Sequence, residues 1–299
     1  MNKKIFVFSL LIISMIAVLS GCSGGGSGSD NIIRASGDIV TREFLVGNFT
    51  GIDALFSDVV VRHANEHRIV VEVAENLVDF TDNTIRHGVL SVRFNPGPGI
   101  GVEFGSHRPR ITFYTPNIIT SLNLRGGSAV IEHGPIITRN FSIEANGNSN
   151  VSLNLVVENL WVTTSSFATV ALNGSTNNVN VEANSSSNVR LDLDSVTNNV
   201  SVDASSFATV ALNGSANIMN IHAESSSLVL ATNMPTNDVQ IRASSLSRAG
   251  VDALERLDVT ASSSSQVQYL KRPTDTRIEI LSLATVTQEP GTFGHGNQF

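Results

Sequence analysis

The chain has 299 residues and is acidic: 19 lysine and arginine residues stand against 26 aspartate and glutamate residues, for a formal net charge of −7. This balance argues against a nucleic-acid partner and leaves no basic patch for anionic lipids. Charged residues make up only 15% of the chain, below the typical quarter. The fold must therefore rely on Val, Ile, Ala, Ser and Asn, which suits stacked β-strands.

The first 22 residues have the features of a lipoprotein export signal. Lys3 and Lys4 precede an apolar run from Ile5 to Leu19, which is shorter than the roughly 20 residues of a membrane span. The following sequence, Leu19-Ser-Gly-Cys22, resembles the bacterial lipobox. The resemblance implies loss of residues 1–21, a diacylglycerol thioether on Cys22 and a new N-terminus acylated by a fatty acid such as palmitate.

A lipid on Cys22 would also leave no cysteine available for other chemistry, because Cys22 is the only cysteine in the chain. The mature protein would then have no free thiol, which excludes a cysteine nucleophile, a cysteine-cluster metal site and an intramolecular disulfide. Loss of Lys3 and Lys4 would take the net charge from −7 to −9. The alternative is an ordinary secretory signal followed by a chance cysteine.

Residues 22–36 are expected to form a lipid-anchored Gly/Ser tether, because the run from Ser23 to Ser29 contains nothing to bury. Two or three acyl chains would hold this tether stably at a membrane. Ser23 stands where an Asp typically retains lipoproteins at the inner membrane. We therefore expect a lipid-anchored protein of the cell envelope, at the outer membrane if the cell is Gram-negative.

Residues 37–116 predict an N-terminal antiparallel β cap, because the open end of a stacked β structure must be covered. The segment from Asp58 to Val73 has two alternating apolar stretches about a polar turn and predicts a hairpin. Val89 to Phe94 and Arg110 to Tyr114 predict two further strands.

Residues 117–287 contain a repeat of about 20 residues, most visible as SSFATVALNGS at 165–175 and again at 205–215. Apolar residues recur in two columns. The first column is Leu122, Ile143, Val162, Val181, Val202, Ile221, Ile241, Val259 and Ile278. The second, eight positions later, is Val130, Val151, Val170, Val189, Val210, Val229, Ala249, Val267 and Val286. Each copy cannot bury its own apolar face, so the pattern predicts an all-β, right-handed parallel β-helix-like solenoid with coils of about 20 residues.

Two further columns predict how the corners of the coils pack. Small residues stand two positions after the first column, as expected inside a tight corner: Ala145, Thr164, Ala183, Ala204, Ala223, Ala243 and Ala261. Large and small residues alternate five positions after it: Phe167, Ser186, Phe207, Ser226, Leu246 and Ser264. With coils about 4.8 Å apart, the alternation predicts that each large side chain packs over its small neighbours. Ser- and Asn-rich corners predict polar ladders along the axis, and residues 288–299 predict a disordered tail.

Several motifs, in this order, resemble the auto-transporter adhesins with a head GIN domain. The motifs are Phe49-Thr-Gly-Ile-Asp53 leading into Val59-Val-Val61, Val70-Val-Glu-Val-Ala74, Gly88-Val-Leu-Ser-Val92, Thr115-Pro116 and the serine-rich repeats. The resemblance covers roughly residues 37–290 and implies an envelope protein, without supplying a catalytic residue. The corners differ from the Gly-Ser-Gly-Asp that is common in the family, which weakens any ligand role for them.

An enzymatic alternative rests on residues that directly follow the first column. Glu182 and Asp203 are predicted one coil apart, near the ~5 Å between carboxyl groups in retaining glycosidases. His222 and Arg242 would continue the same stripe. The other interpretation is a row of solvated charges, because a flat stripe has no water-excluding pocket. One Trp and two Tyr also leave few aromatic rings for stacking on sugars, which favours the second interpretation.

Other candidate sites are weaker. His63 and His67 are four apart, which would align them on a helix, but here they flank a predicted turn. Asp192 and Asp194 share a strand face without the carbonyl-rich loop of a calcium site. The sequence has no phosphate-binding loop, dinucleotide fingerprint or nucleophile elbow.

The sequence therefore predicts one site residue, the lipidated Cys22, and no catalytic residue, metal or cofactor. It predicts a non-enzymatic adhesin or interaction module of the cell surface, with a polysaccharide-active lyase or hydrolase as the alternative. The expected partners are the membrane, through the lipid anchor, and a surface glycan or envelope protein, but not nucleic acid.

Overall fold

The computed structural model describes residues 31–132 and 134–289. Cys22, the predicted signal peptide of residues 1–21 and residues 290–299 of the predicted tail lie outside the described residues. The described chain is almost entirely β, with one 3-10 helix at Glu75–Phe80. The first strands are β1 (Ile32–Arg34), β2 (Ile39–Leu45), β3 (Gly51–Leu55), β4 (Asp58–His63), β5 (Arg68–Ala74), β6 (Thr81–Arg86), β7 (Val89–Phe94), β8 (Gly101–Glu103) and β9 (Arg110–Thr115).

The repeats form the remaining strands. These are β10 (Ser121–Arg125), β11 (Ser128–Ile131), β12 (Ile136–Asn146), β13 (Asn150–Thr164), β14 (Thr169–Ala183), β15 (Asn188–Ala204), β16 (Thr209–Ala223), β17 (Leu228–Ala243), β18 (Arg248–Ala261), β19 (Gln266–Tyr269), β20 (Asp275–Ile280) and β21 (Thr285–Gln288). The result is a β-solenoid of about 9 turns with coils of about 19 residues, which confirms the predicted fold class.

The first apolar column is aligned as the sequence predicts. Leu122 pairs with Ile143, and the parallel pairing continues coil by coil to Ile278. These side chains are buried until the last coil, where Ile278 is 37% exposed. Parallel stacking thus buries the apolar face that no single coil could cover.

The second column is aligned from Val151 to Val286, but its first member is wrong. Ala129, not Val130, pairs with Val151, and Val130 is exposed. The corner between β10 and β11 is one residue shorter than the next corner, because Ser128 pairs with Asn150 while Arg125 pairs with Asn146.

The N-terminal strands join the solenoid through both kinds of pairing. Antiparallel pairs link β2 with β5, β5 with β9 and β6 with β7. Parallel pairs link β3 with β7 and β10, and β4 with β9 and β11. The antiparallel strands of the predicted cap are therefore continuous with the parallel stack.

The predicted hairpin from Asp58 to Val73 is wrong. Strand β9 lies between β4 and β5, parallel to β4 and antiparallel to β5. Pairing on both edges buries Ile111 and Phe113 of β9 completely. It also leaves the other edge of β4 free to pair with β11 and so to continue the stack.

The seven corners from 165–168 to 281–284 are tight turns, each with two consecutive left-handed residues. In the first, Ser166 and Phe167 have φ of 55° and 66°, and the Ala168 amide donates to the Ser165 carbonyl at 3.1 Å. Positive φ at both central positions is the type I′ geometry. The small-residue column before these turns is buried, as predicted, from Ala145 to Ala261.

The predicted packing of the large residues at these turns is wrong. Phe167 and Phe207 are 67% and 69% exposed, and Leu246 is 63% exposed. The left-handed turn directs these side chains outward, so they do not fill the space between coils. The alternation of large and small residues is real, but it lies on the surface.

Polar ladders run along the axis, as predicted, but the longest asparagine ladder lies within strands β12 to β15 and not at the Ser-rich turns. Asn159 donates from Nδ2 to Asn140 Oδ1 at 2.8 Å, Asn178 donates to Asn159 at 2.9 Å, and Asn199 donates to Asn178 at 2.9 Å. Each side-chain amide both donates and accepts, so the chain of bonds can extend from coil to coil. The ladder therefore supports the register in which these strands pair.

Candidate functional site

Two outward rows flank the buried first column and together form a surface that we call the polar face. The first row is Ser91, Asp53, Asn123, Glu144, Thr163, Glu182, Asp203, His222, Arg242, Thr260 and Glu279. The second row is Val89, Gly51, Ser121, Ser142, Trp161, Asn180, Ser201, Asn220, Gln240, Asp258 and Arg277. Side chains alternate across a strand, so the residues on either side of a buried position both face outward.

The four residues of the enzymatic alternative lie in adjacent coils of this face. Glu182 pairs with Asp203, Asp203 with His222, and His222 with Arg242. His222 Nδ1 is 3.5 Å from Asp203 Oδ2, and its Nε2 is 4.0 Å from Glu224 Oε2. The Asp203 and His222 side chains are about half exposed, so water can reach both.

Three open concavities lie along the polar face. One of about 210 Å³ is lined by Ser201, Asp203, Asn220, His222, Gln240 and Arg242. A second, of about 190 Å³, continues past Asn220 and Gln240 to Arg256 and Asp258. Most of these side chains can both donate and accept hydrogen bonds or carry charge, which suits a polar ligand.

The third concavity, of about 450 Å³, lies at the N-terminal end of the face and contains the only Trp of the chain. Trp161 is 44% exposed. Asn123 and Glu144 lie beside it in the first row, and Asn123 donates from Nδ2 to Glu144 Oε2 at 3.2 Å. An exposed aromatic ring next to amide and carboxylate groups can bind a ligand by stacking and by hydrogen bonds at once.

At this end of the face, Asp53 is a buried carboxylate that lines the same concavity. Its carboxylate accepts hydrogen bonds from Ser91 Oγ at 2.6 Å, Arg93 NH2 at 2.8 Å and Arg125 NH2 at 2.9 Å. Burial by itself raises the pKa of Asp53, but the three hydrogen bonds outweigh burial and hold the pKa below its ordinary value. The carboxylate thus ties β3 to β7 and β10.

The Asp53 cluster predicts a specific acid dependence of stability. A pKa lowered by folding stabilises the protein above the unfolded pKa, near 4, and this stabilisation is lost as pH falls through the folded value. Asp53→Asn should lower the free energy of unfolding at neutral pH by about 1–3 kcal/mol. In this variant, the free energy of unfolding should also decrease less steeply as the pH is lowered. Urea denaturation at a series of pH values measures both, with the exposed Asp203→Asn as control. If the stability of Asp53→Asn depended on acid pH as the wild type does, the proposed contribution of this carboxylate to stability would be contradicted.

The remaining sequence candidates make other contacts. His63 ends β4, and His67 lies just before β5, where its Nδ1 is 3.2 Å from Thr115 Oγ1. Asp192 pairs with Arg190 at 2.8 Å, which holds the pKa of Asp192 below its ordinary value. Within residues 31–132 and 134–289, no group of three His, Cys, Asp or Glu residues could hold a metal ion.

Sequence reasoning did not find the concavity at Trp161 or the Asp53 cluster. Arg93 and Arg125 are 40 and 72 residues from Asp53, so no local pattern connects them. For Trp161 a signal was present, since it directly precedes Val162 of the first column and must therefore face outward.

Several solved structures share this fold, among them three from Parabacteroides. Two are described as putative adhesins, from Parabacteroides merdae (17% identity, TM-score 0.63, 86% of this chain and 98% of that one) and from Parabacteroides distasonis (15% identity, TM-score 0.63, 85% and 98%). The third, also from Parabacteroides distasonis, is described as a putative lipid binding protein (18% identity, TM-score 0.61, 86% and 99%). At these identities the likeness concerns the fold alone.

A search of curated proteins found no match. None of the helical structure in the described residues is long and apolar enough to cross a membrane. A family model described as "Putative auto-transporter adhesin, head GIN domain" matches residues 48–193 and 181–273, which together make up most of the chain. The chain therefore belongs to the head GIN domain family of adhesin-like proteins, as its motifs suggested.

Proposed function

We propose that this protein is a lipid-anchored module of the cell-envelope surface that binds an extended polar polymer, with a surface glycan as the expected ligand. The polar face carries the proposal. From Ser121 and Asn123 onward, its two rows present amide, hydroxyl or charged groups at every coil, about 4.8 Å apart. A face with regularly spaced polar groups suits a polymer of repeated hydroxyl groups better than a compact metabolite.

The concavity at Trp161 is the expected anchor point on this face. The ring is exposed beside Asn123, Glu144 and Thr163, so a sugar ring can stack on it while its hydroxyl groups meet polar side chains. The face is long and open, and its concavities do not enclose a ligand. Binding without turnover is therefore the activity that we propose, because catalysis needs charged groups in a water-excluded centre.

A glycan-array screen, run beside a polysaccharide degradation assay, tests this function. Trp161→Ala should weaken binding of any glycan ligand by about tenfold or more, since exposed aromatic rings are common centres of binding energy. Val156→Ala is the matched control, because Val156 is similarly exposed at 42% on another row. Equal affinities for the two variants would contradict the proposed site.

The degradation assay decides between binding and chemistry. The 3.5 Å approach of His222 to Asp203 is the observation that favours the enzymatic alternative. Turnover that disappears in Glu182→Gln or Asp203→Asn, with folding intact, would replace the binding function by a glycoside hydrolase or lyase. Absence of both binding and turnover would point to a protein partner in the envelope.

The proposed anchor has its own test. Cys22→Ala should abolish lipidation, because the thioether forms on that sulfur alone. Mass spectrometry of the membrane-extracted protein should show acyl chains on Cys22 in the wild type and none in the variant. An unmodified Cys22 in membrane-bound wild type would contradict the anchor.

A further inference from the structure

Four large apolar side chains protrude from the type I′ turns and form what we call the turn ridge. The ridge consists of Phe167, Phe207, Leu246 and Leu283, which are 67%, 69%, 63% and 89% exposed. They occupy the same position in the turns of every second coil. The coils between carry Ser186, Ser226 and Ser264 at that position.

The turn itself does not require these side chains. The four ridge residues have φ of 65° or 66°, and the three serines have nearly the same φ, between 60° and 63°. A bulky residue is unfavourable in the left-handed region, and strain that is retained marks a candidate functional position. Serine forms the same turn, so packing and turn geometry leave the large residues unexplained.

The ridge is almost uncharged. Six coil steps separate Phe167 from Leu283, so the ridge extends for roughly 29 Å at a coil spacing of about 4.8 Å. Glu224 is the only charged residue in the seven turns from 165–168 to 281–284. The whole chain has a net charge of −7, but the turns of the ridge carry almost none of its charged residues. The ridge can therefore contact an apolar surface with little desolvation of charged side chains.

We propose that the turn ridge inserts into the interface of a lipid bilayer and holds the solenoid axis parallel to the membrane. Phe and Leu side chains on a polar frame bury favourably at the boundary between headgroups and acyl chains. A planar surface can meet several of these side chains at once because they project from equivalent positions of turns that are hydrogen-bonded in succession. This inference rests on the proposed anchor: Cys22 is nine residues before Asn31, which keeps the fold within roughly 30 Å of the lipid.

The test uses the mature chain with Cys22→Ser, so that binding does not depend on the lipid. Co-sedimentation with vesicles of phosphatidylethanolamine and phosphatidylglycerol measures the partition coefficient. Replacing all four ridge residues by Ser, the residue of the alternate coils, should lower this coefficient by at least about tenfold. The control replaces three exposed apolar residues on another part of the surface, Ile137, Val156 and Val196, by Ser and should bind as the parent chain does.

A second readout separates insertion from adsorption. Phe207→Trp in a Trp161→Phe background should show a blue-shifted emission when vesicles are added, because the indole leaves water. No vesicle binding by the parent chain, or equal binding by the ridge variant, would overturn the proposal. If the ridge substitutions change the sedimentation coefficient of the protein in solution but leave vesicle binding unchanged, the ridge mediates contact between copies of the chain. That result would also overturn the proposal. Glycan binding by the same Cys22→Ser chain reports separately on the polar face, and lipidation of Cys22 is read in the wild type.

Discussion

Gly174→Ala should lower the free energy of unfolding by about 3–5 kcal/mol. A Cβ at this position would lie 1.9 Å from the carbonyl oxygen of Leu155 in the preceding coil, and Gly174 has φ of +124°. The obstructing atom belongs to the backbone, so relief requires the two coils to separate. Thermal melting and hydrogen exchange of the amides of β13 and β14 measure the loss.

Gly97 offers a matched control for this substitution. Its φ is +123°, yet nothing lies within 4 Å of the position of its Cβ. Gly97→Ala therefore carries the conformational penalty without the collision and should cost about 1–2 kcal/mol. Similar losses for the two variants would mean that the coils are not stacked as closely at Gly174 as the structure has them.

Phe141→Ala should cost about 3–5 kcal/mol, because the ring is completely buried and its loss leaves a cavity in the core of the solenoid. Phe207→Ala removes a ring that is 69% exposed and should change stability by less than about 0.5 kcal/mol. Urea denaturation of both variants measures the difference. A large loss in Phe207→Ala would show that the ring is buried in solution and would contradict the outward turn.

The coil register could be predicted from the sequence because it is specified by burial. A slip of one residue would move every apolar side chain of a strand to the outer face, so the spacing of the columns identifies which residues pair. This reasoning also placed Glu182, Asp203, His222 and Arg242 in adjacent coils. It failed at Val130, where the corner of Gly126 and Gly127 is one residue shorter than the corner that follows it.

The orientation of the turn residues could not be predicted in the same way. Alternation between the two faces holds only for extended backbone, and two successive left-handed residues interrupt it. Phe167 and Phe207 were therefore expected to pack between coils, whereas the turns direct them to the surface. The large residues at the turns therefore form an exposed ridge and do not pack between the coils.

The sequence by itself determined the repeat, the register of the stack, the polar ladders and the family, since each depends on a periodic pattern. The tertiary structure alone decided that β9 separates β4 from β5 and that Asp53 meets Arg93 and Arg125. It also decided that Trp161 overlies a concavity shared with Asp53. No repeat in the sequence relates β9 to β4 and β5, or Asp53 to Arg93 and Arg125, so a periodic pattern could not indicate these contacts. Periodicity in the sequence therefore predicts the contacts that recur in every coil. Contacts that occur once, such as those of Asp53, are seen only in the folded structure.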